Sequence, residues 1–498
     1  MIIESALALF LILTIYHFFF EYKHNNLPPG PHAWPLIGNI PQIGKQLHRS
    51  LHSLSLIYGE VYRLYLGHTL VVVLTGRAIK EALALQPVEF GGRPWTVSFD
   101  LALRGERPLV FEDYGRHVKL HRKMGHRALK VYSQKKYQQV IIQEAEELCK
   151  RIADSSDRIF DVKKEFGLCI MNIICTKIFG SRYQVNNKEF LEILNIHDNL
   201  FRLTTVTGQS LVDIFPFLRN ILPIYGHTKE LQETHDEWQK ILWRKYKQHL
   251  DSFDVSNIRD YTDALLLAKQ EAGVENTTDQ KYLEDKYIVS AISTVFIAGS
   301  ETTATSLCWA ILYLIHFPKI QDQIYASVGK LNLQERQSFV EMRKMCPILE
   351  AFIAEVLRII TLLPLGVPHK TLCETILRGY TIPKGTTVLA NLWSLHHNVS
   401  LWENPEDFNP ERFLDKEGNF SHSMTDNLLP FGAGPRICMG ENLARTELFL
   451  ILALLLKQFR FECPPGQQMA PLECMAGSAV LQPTLTQAHV TKRKILRT

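Results

Sequence analysis

Cys438 stands in Phe431-Gly-Ala-Gly-Pro-Arg-Ile-Cys-Met-Gly440, with Phe431, Gly434, Arg436 and Gly440 at fixed offsets around it. Such a segment presents one sulfur on a tight loop. Gly434 and Gly440 permit backbone angles closed to other residues and leave room for a flat cofactor to approach. Backbone N–H groups freed by the turn can hold the negative charge of a thiolate. Arg436 adds a fixed cation suited to pairing with a carboxylate. The expected chemistry is a thiolate bound to a metal; the alternative is a buried structural cysteine. A second constellation is Ala298-Gly-Ser-Glu-Thr-Thr303. On a helix, the Thr302 hydroxyl can bond back to the Ala298 carbonyl and locally open the ladder. Gly299 would remove a side chain where a ligand lies against the helix. Glu301 and Thr302 together make an acid–alcohol pair able to relay protons. The alternative there is a core helix with a polar seam.

These groups need rigid elements to hold them. Lys286 to Phe317 reads as one helix rich in Ile, Val, Ala and Leu, about 48 Å long at ~1.5 Å per residue. Its centre is too polar for lipid and suits a helix buried in protein. Glu355 and Arg358 fall on one helical face; taken alone they read as a solvated surface pair.

Bulk properties narrow the class. The chain has 498 residues, 46% of them hydrophobic, and a net charge of +4. That charge is too small to imply nucleic acid. Nine cysteines without paired spacing favour a reducing compartment over a disulfide scaffold or a zinc site. No linker or repeat divides the chain, so one large domain is expected over 46–498. Residues 1–21 are almost wholly apolar and long enough to span a bilayer. Glu4 precedes the run while Lys23, Lys45 and Arg49 follow it, which places the bulk of the chain on the cytosolic side. Residues 22–45 contain Leu27-Pro-Pro-Gly-Pro31, a stiff, extended hinge.

The Cys438 segment resembles the haem-binding loop of the cytochrome P-450 family, Phe-x-x-Gly-x-Arg-x-Cys-x-Gly, at all five fixed positions. The Ala298–Thr303 segment is similar to that family's distal-helix motif. Asn391 to Asn398 and Pro430 to Arg436 look most like the microsomal steroid 17-alpha-hydroxylases, with drug-metabolising relatives close behind. The resemblance implies a mainly helical fold with small sheets around one haem b, ligated by the Cys438 thiolate. Phe431, Gly434, Gly440 and Ala298 would border the haem, and Arg436, His369 and Arg122 would meet its propionates. Val118 stands where the family usually has Trp, so an indole donor on that side is missing. Glu355, Arg358 and Arg412 of Pro410-Glu-Arg-Phe413 would form a buried structural network. Thr361 occupies a position where Pro is usual. Glu301 and Thr302 would be the catalytic proton carriers, with Ala298, Leu362, Leu363 and Val367 lining a substrate pocket.

The implied activity is O2- and NADPH-dependent hydroxylation of a lipophilic substrate, a steroid or, alternatively, a xenobiotic or fatty acid. A haem-thiolate isomerase and a non-enzymatic haem protein are rival readings. The implied partners are an NADPH-dependent flavoprotein reductase and cytochrome b5, docking on the basic run from Arg116 to Lys136. The implied location is the endoplasmic reticulum membrane, single-pass, with the catalytic domain cytosolic. Thr205, in the divergent 195–232 region, stands where the resemblance implies an Asn that binds a sterol oxygen in the steroid 17-alpha-hydroxylases.

Overall fold

The computed structural model describes residues 26–131, 134–154, 159–207, 211–214, 225–275, 277–331, 338–475 and 479–493. The expected membrane anchor at 1–21 and the side chain of Thr205 lie outside the described set. The chain is mainly helical. Its longer helices are α1 (Leu47–Tyr58), α2 (Arg116–Val131), α3 (Gln134–Asp154), α4 (Val162–Phe179), α5 (Lys188–Thr207), α6 (Tyr225–Asp251), α7 (Tyr261–Glu275), α8 (Asp285–His316), α9 (Pro318–Val328), α10 (Pro347–Ile360) and α11 (Glu441–Gln458).

The strands form three small sheets. β1 (Val61–Leu66), β2 (Thr69–Leu74), β7 (Thr387–Ala390) and β4 (His369–Lys370) lie in the order β1-β2-β7-β4, with β2 and β7 parallel. β3 (Ile159–Asp161), β9 (Gln487–Lys492) and β8 (Phe459–Glu462) form the second sheet, and β5 (Thr375–Leu377) and β6 (Tyr380–Ile382) the third. The proline-rich segment lies along β1, where Arg63 N–H donates to the Pro29 carbonyl at 2.8 Å.

Local sequence explains where the key helices begin and end. α8 contains no proline and stops at Phe317, where Pro318 opens the next helix. The Asp161 carboxylate caps α4, and Gly180 ends it in the left-handed region at φ 64°. α8 is the only helix among the described residues long and apolar enough to cross a membrane, yet 72% of that stretch is buried in protein. It is therefore a core helix, as its polar centre requires.

α4 packs directly on α8, and this corrects the expectation for Gly299. A Cβ there would sit 2.9 Å from Ile174 Cδ1. The glycine admits a neighbouring helix, not a ligand. Nor is α8 opened around it: the helix runs unbroken from Asp285 to His316.

Candidate haem-thiolate site

The Cys438 loop is shaped by its own backbone. Cys438 N–H donates to the Phe431 carbonyl at 2.9 Å, and Gly440 then starts α11. Gly434 sits at φ 68°, where a Cβ would also meet the Leu83 carbonyl at 1.9 Å. That glycine is obligatory, but the room it leaves is filled by the 81–85 turn and not by a cofactor. Gly440 has an ordinary φ of −89°, so the expected special backbone angle is absent there. A Cβ at Gly440 would lie 3.8 Å from the Cys438 sulfur, so its smallness does keep space open beside the thiol. Phe431 packs against the main core, with the Arg445 guanidinium 5.1 Å from its ring centroid.

Cys438 lies deep in the protein mass, which desolvates it, yet its surface remains accessible. The two observations agree if the sulfur faces an internal cleft. Burial pushes the thiol pKa up, while N–H groups of Gly440 and Glu441 and the charge of Arg122 pull it down. A sulfur with two amide donors and a nearby guanidinium is fitted to carry charge once a cation binds it.

Three arginines gather near this loop. Arg436 donates through Nε and Nη2 to the Gly91 carbonyl at 3.2 and 2.8 Å, and through Nη2 to the Glu112 carbonyl. Arg122 donates to the Ile437 carbonyl at 2.7 Å. Arg93, which the sequence reading passed over, is 4% exposed and donates to the carbonyls of Val367 and Pro368 at 2.7 and 2.8 Å. All of these side-chain bonds go to backbone carbonyls, and the Arg93 Nε has no partner. Desolvation first, then Arg436 and Arg122, lower Arg93 to about 9. Desolvation and Arg122 lower Arg436 to about 10. Buried, mutually repelling cations with an unsatisfied donor suit a dianionic group, and the two propionates of haem fit that description.

His369 donates through Nδ1 to the Phe90 carbonyl at 2.7 Å. A carbonyl only accepts, so Nδ1 carries the ring proton. Burial, then Arg93, holds its pKa down to about 3. The ring is neutral, and the buried cation beside it is Arg93. The missing signal was weak: Arg93 is a lone arginine in Gly91-Gly-Arg-Pro94, far in sequence from every motif. Val118 is 1% exposed and packs in the main core.

On α8, Thr302 Oγ1 donates to the Ala298 carbonyl at 2.7 Å. Ala298 is exposed although it lies near the middle of a buried helix, so this face borders open space. Glu301 is buried and turned elsewhere. Its Oε1 accepts from Gln482 Nε2 at 3.0 Å and Thr305 Oγ1 at 3.3 Å. The acid and the alcohol are neighbours in sequence but do not bond to each other. Among the other pocket candidates, Leu363 and Val367 keep partial exposure, whereas Leu362 is 9% exposed and packs in the main core. A cavity of about 410 Å³ lies elsewhere, between α6 and α7 at Leu250, Phe253 and Leu266. It contains none of these groups, so volume alone does not locate the chemistry.

Behind the loop, Arg358 pairs with Glu355 through Nε and Nη2 at 2.7 and 2.9 Å, and Arg412 Nε reaches Glu355 Oε1 at 3.0 Å. Glu355 and Arg358 are both 0% exposed, so they are no surface pair. The two arginines also donate to the carbonyls of His396, Pro405 and Glu403, tying the 396–413 segment to α10. Glu447 on α11 joins this region to α8. It accepts from Tyr137 and Thr303, and burial pushes its pKa up to about 7. Thr303 adjoins Thr302, so the helix bearing the alcohol is bonded to the helix that follows the cysteine.

Comparison with known proteins places this arrangement. The family model described as cytochrome P-450 matches residues 28–490. The chain is 38% identical to "Steroid 17-alpha-hydroxylase/17,20 lyase" of Gallus gallus, covering 90% of this chain and 89% of that protein. It is 34% identical to "Cytochrome P-450 1A1" of Felis catus (89% of this chain, 87% of that protein) and 33% identical to "Cytochrome P-450 2U1" of Bos taurus (92% and 89%).

Proposed function

The chain belongs to the cytochrome P-450 family and is an oxidoreductase of the monooxygenase kind, and we propose that it hydroxylates a C–H bond of a steroid or similarly shaped lipophile. Haem b, held through a cysteine thiolate as in the family, supplies the oxygen activation when bound. Cys438 is the sulfur donor, steadied by the Gly440 and Glu441 N–H groups. Arg93, Arg122 and Arg436 neutralise the propionates. Thr302 holds a proton at Oγ1, facing the open side of α8 near Ala298. Glu301 supplies protons to it, which requires its carboxylate to leave Gln482 and Thr305. Phe431, Gly440 and Ala298 border the haem, and Leu363 and Val367 border the substrate. Glu355, Arg358 and Arg412 are structural.

Electrons come from NADPH through a flavoprotein reductase docking on α2, with cytochrome b5 as a second partner for that face. Lys119, Lys123 and Lys130 are exposed on this helix beside Arg116 and Arg127, which pair with Asp279 and Glu271 while staying about half exposed. Complementary charge there speeds encounter. The N-terminal apolar stretch anchors the protein in the endoplasmic reticulum membrane with this domain cytosolic.

The observation that carries the substrate class is 38% identity, over 90% of the chain, to a steroid 17-alpha-hydroxylase/17,20 lyase. Purified holoprotein, reduced under carbon monoxide, should show the red-shifted Soret band of a thiolate ligand, and Cys438→Ala should abolish it. A panel of steroids, fatty acids and planar aromatics, scored by spectral shift and NADPH-dependent product, tests the substrate. Turnover of the aromatics alone would replace the steroid assignment with a xenobiotic one.

A further inference from the structure

The side chains of His396 and Thr361 belong neither to the haem cradle nor to the Glu355 ion pairs, yet both residues are buried, at 0% and 1% exposure. Their hydrogen bonds have a single consistent direction. Leu429 N–H lies 2.9 Å from His396 Nε2. A backbone amide can only donate, so Nε2 is the bare nitrogen and Nδ1 carries the proton. Nδ1 therefore donates to Thr361 Oγ1 at 2.7 Å. The Thr361 hydroxyl passes its own hydrogen to the Arg358 carbonyl at 2.7 Å. Arg358 Nη1 completes the ring on the His396 carbonyl at 2.8 Å. Burial, with His397 and Arg358 nearby, keeps the imidazole neutral.

The ring joins two places that matter. One end is the last turn of α10, which Thr361 terminates at φ 41° with its N–H on the Leu357 carbonyl. The other is the stem of the cysteine loop. The Leu429 carbonyl accepts from Gly432 N–H at 3.0 Å, and the Phe431 carbonyl accepts from Cys438 N–H at 2.9 Å. A proline at 361 could adopt neither this backbone angle nor either of the Thr361 bonds.

We infer that His396, oriented by Thr361, is a positioning residue for the Cys438 loop, holding the Leu429 stem in register with the helix that carries Glu355 and Arg358. Its relevance to catalysis rests on the haem-thiolate reading of Cys438, whereas the hydrogen-bond ring does not.

The test uses the holoenzyme and two readouts: exchange of the Leu429 amide hydrogen, and survival of the red-shifted carbon-monoxide band on mild warming. His396→Leu removes the donor and the acceptor, while His396→Gln keeps one of each. Thr361→Val removes only the hydroxyl, while Thr361→Ser keeps it. His396→Leu and Thr361→Val should each exchange Leu429 about tenfold faster and lose the band sooner. The Gln and Ser variants should behave as the parent. If His396→Leu fails to take up haem, Thr361→Val against Thr361→Ser decides the matter. Parent-like exchange and band stability in Thr361→Val, together with any haem-loaded His396→Leu, would overturn the inference. A parent protein with a protected Leu429 amide but no red-shifted band would instead sink the haem-thiolate reading and leave the ring intact.

Discussion

The scaffold behind Cys438 and the α5–α6 pair, which carries the divergent 195–232 region expected to roof the pocket, handle charge in different ways. The scaffold buries its ions: Glu355 and Arg358 are 0% exposed and Arg412 10%. The roof keeps its outer pairs in water: Arg202 and Glu230 are 54% and 49% exposed, and Lys229 and Glu233 are both 65% exposed, while Lys245, at 9%, pairs with Glu189 further in. Removing one member of a buried pair strands an uncompensated charge, at about 3–5 kcal/mol. Breaking an exposed pair costs about 0–1 kcal/mol. Residues behind the loop are therefore locked together, whereas the roof can change sequence with little penalty to the fold.

The comparison can be broken at several points. Glu355→Gln leaves Arg358 and Arg412 facing a neutral partner, so holoprotein stability should fall by about 3–5 kcal/mol in thermal or denaturant unfolding. An unchanged midpoint would remove the buried network as the cause of rigidity. Thr302→Val should cut product formation about 10²-fold with the carbon-monoxide band unaltered, since the hydroxyl faces open space and supports no neighbouring element. Arg93→Leu should speed haem loss to a scavenger protein about tenfold, equivalent to about 1.4 kcal/mol. It separates a propionate contact from mere packing, which Leu would preserve.

Glu447 tests the scaffold by pH. Its folded pKa is about 7, raised from 4.5 chiefly by burial. The stability it contributes is full below about 4.5 and is lost as pH rises through about 7. Glu447→Gln should flatten that decline, read from unfolding midpoints between pH 5 and 8. Lys177, lowered from 10.5 to about 8 by burial, contributes its opposite slope above about pH 8, beyond that window, and a Lys177→Met control checks that it does. The smallest effect belongs to the roof: Arg202→Ala should shift stability by less than about 1 kcal/mol. A larger loss would mean that the roof is as constrained as the scaffold.

Some of this architecture was legible from spacing. A hydroxyl four residues after Ala298 on a helix must reach its carbonyl, and Thr302 does so at 2.7 Å. The long apolar stretch without proline had to be a helix, and its polar centre had to be buried; α8 spans Asp285–His316, within one residue of the expected start and end. Glu355 and Arg358 at three residues' separation had to share a face. What spacing could not supply was the partner on the other side. The same pair reads as surface decoration until the 396–413 segment covers it, because burial is a property of the neighbours.

The amino-acid order alone established the thiol on its turn, the Thr302 bond back to Ala298 and the helices beneath them, since each depends on local backbone geometry over a few residues. Long-range packing settled the rest. It turned Gly299 toward Ile174, drew Glu301 away to Gln482, made His369 neutral beside Arg93, and joined Thr361 to Leu429 through His396. Each of those outcomes depends on residues distant in the chain, whose desolvation and hydrogen bonds exist only once the fold has brought them together.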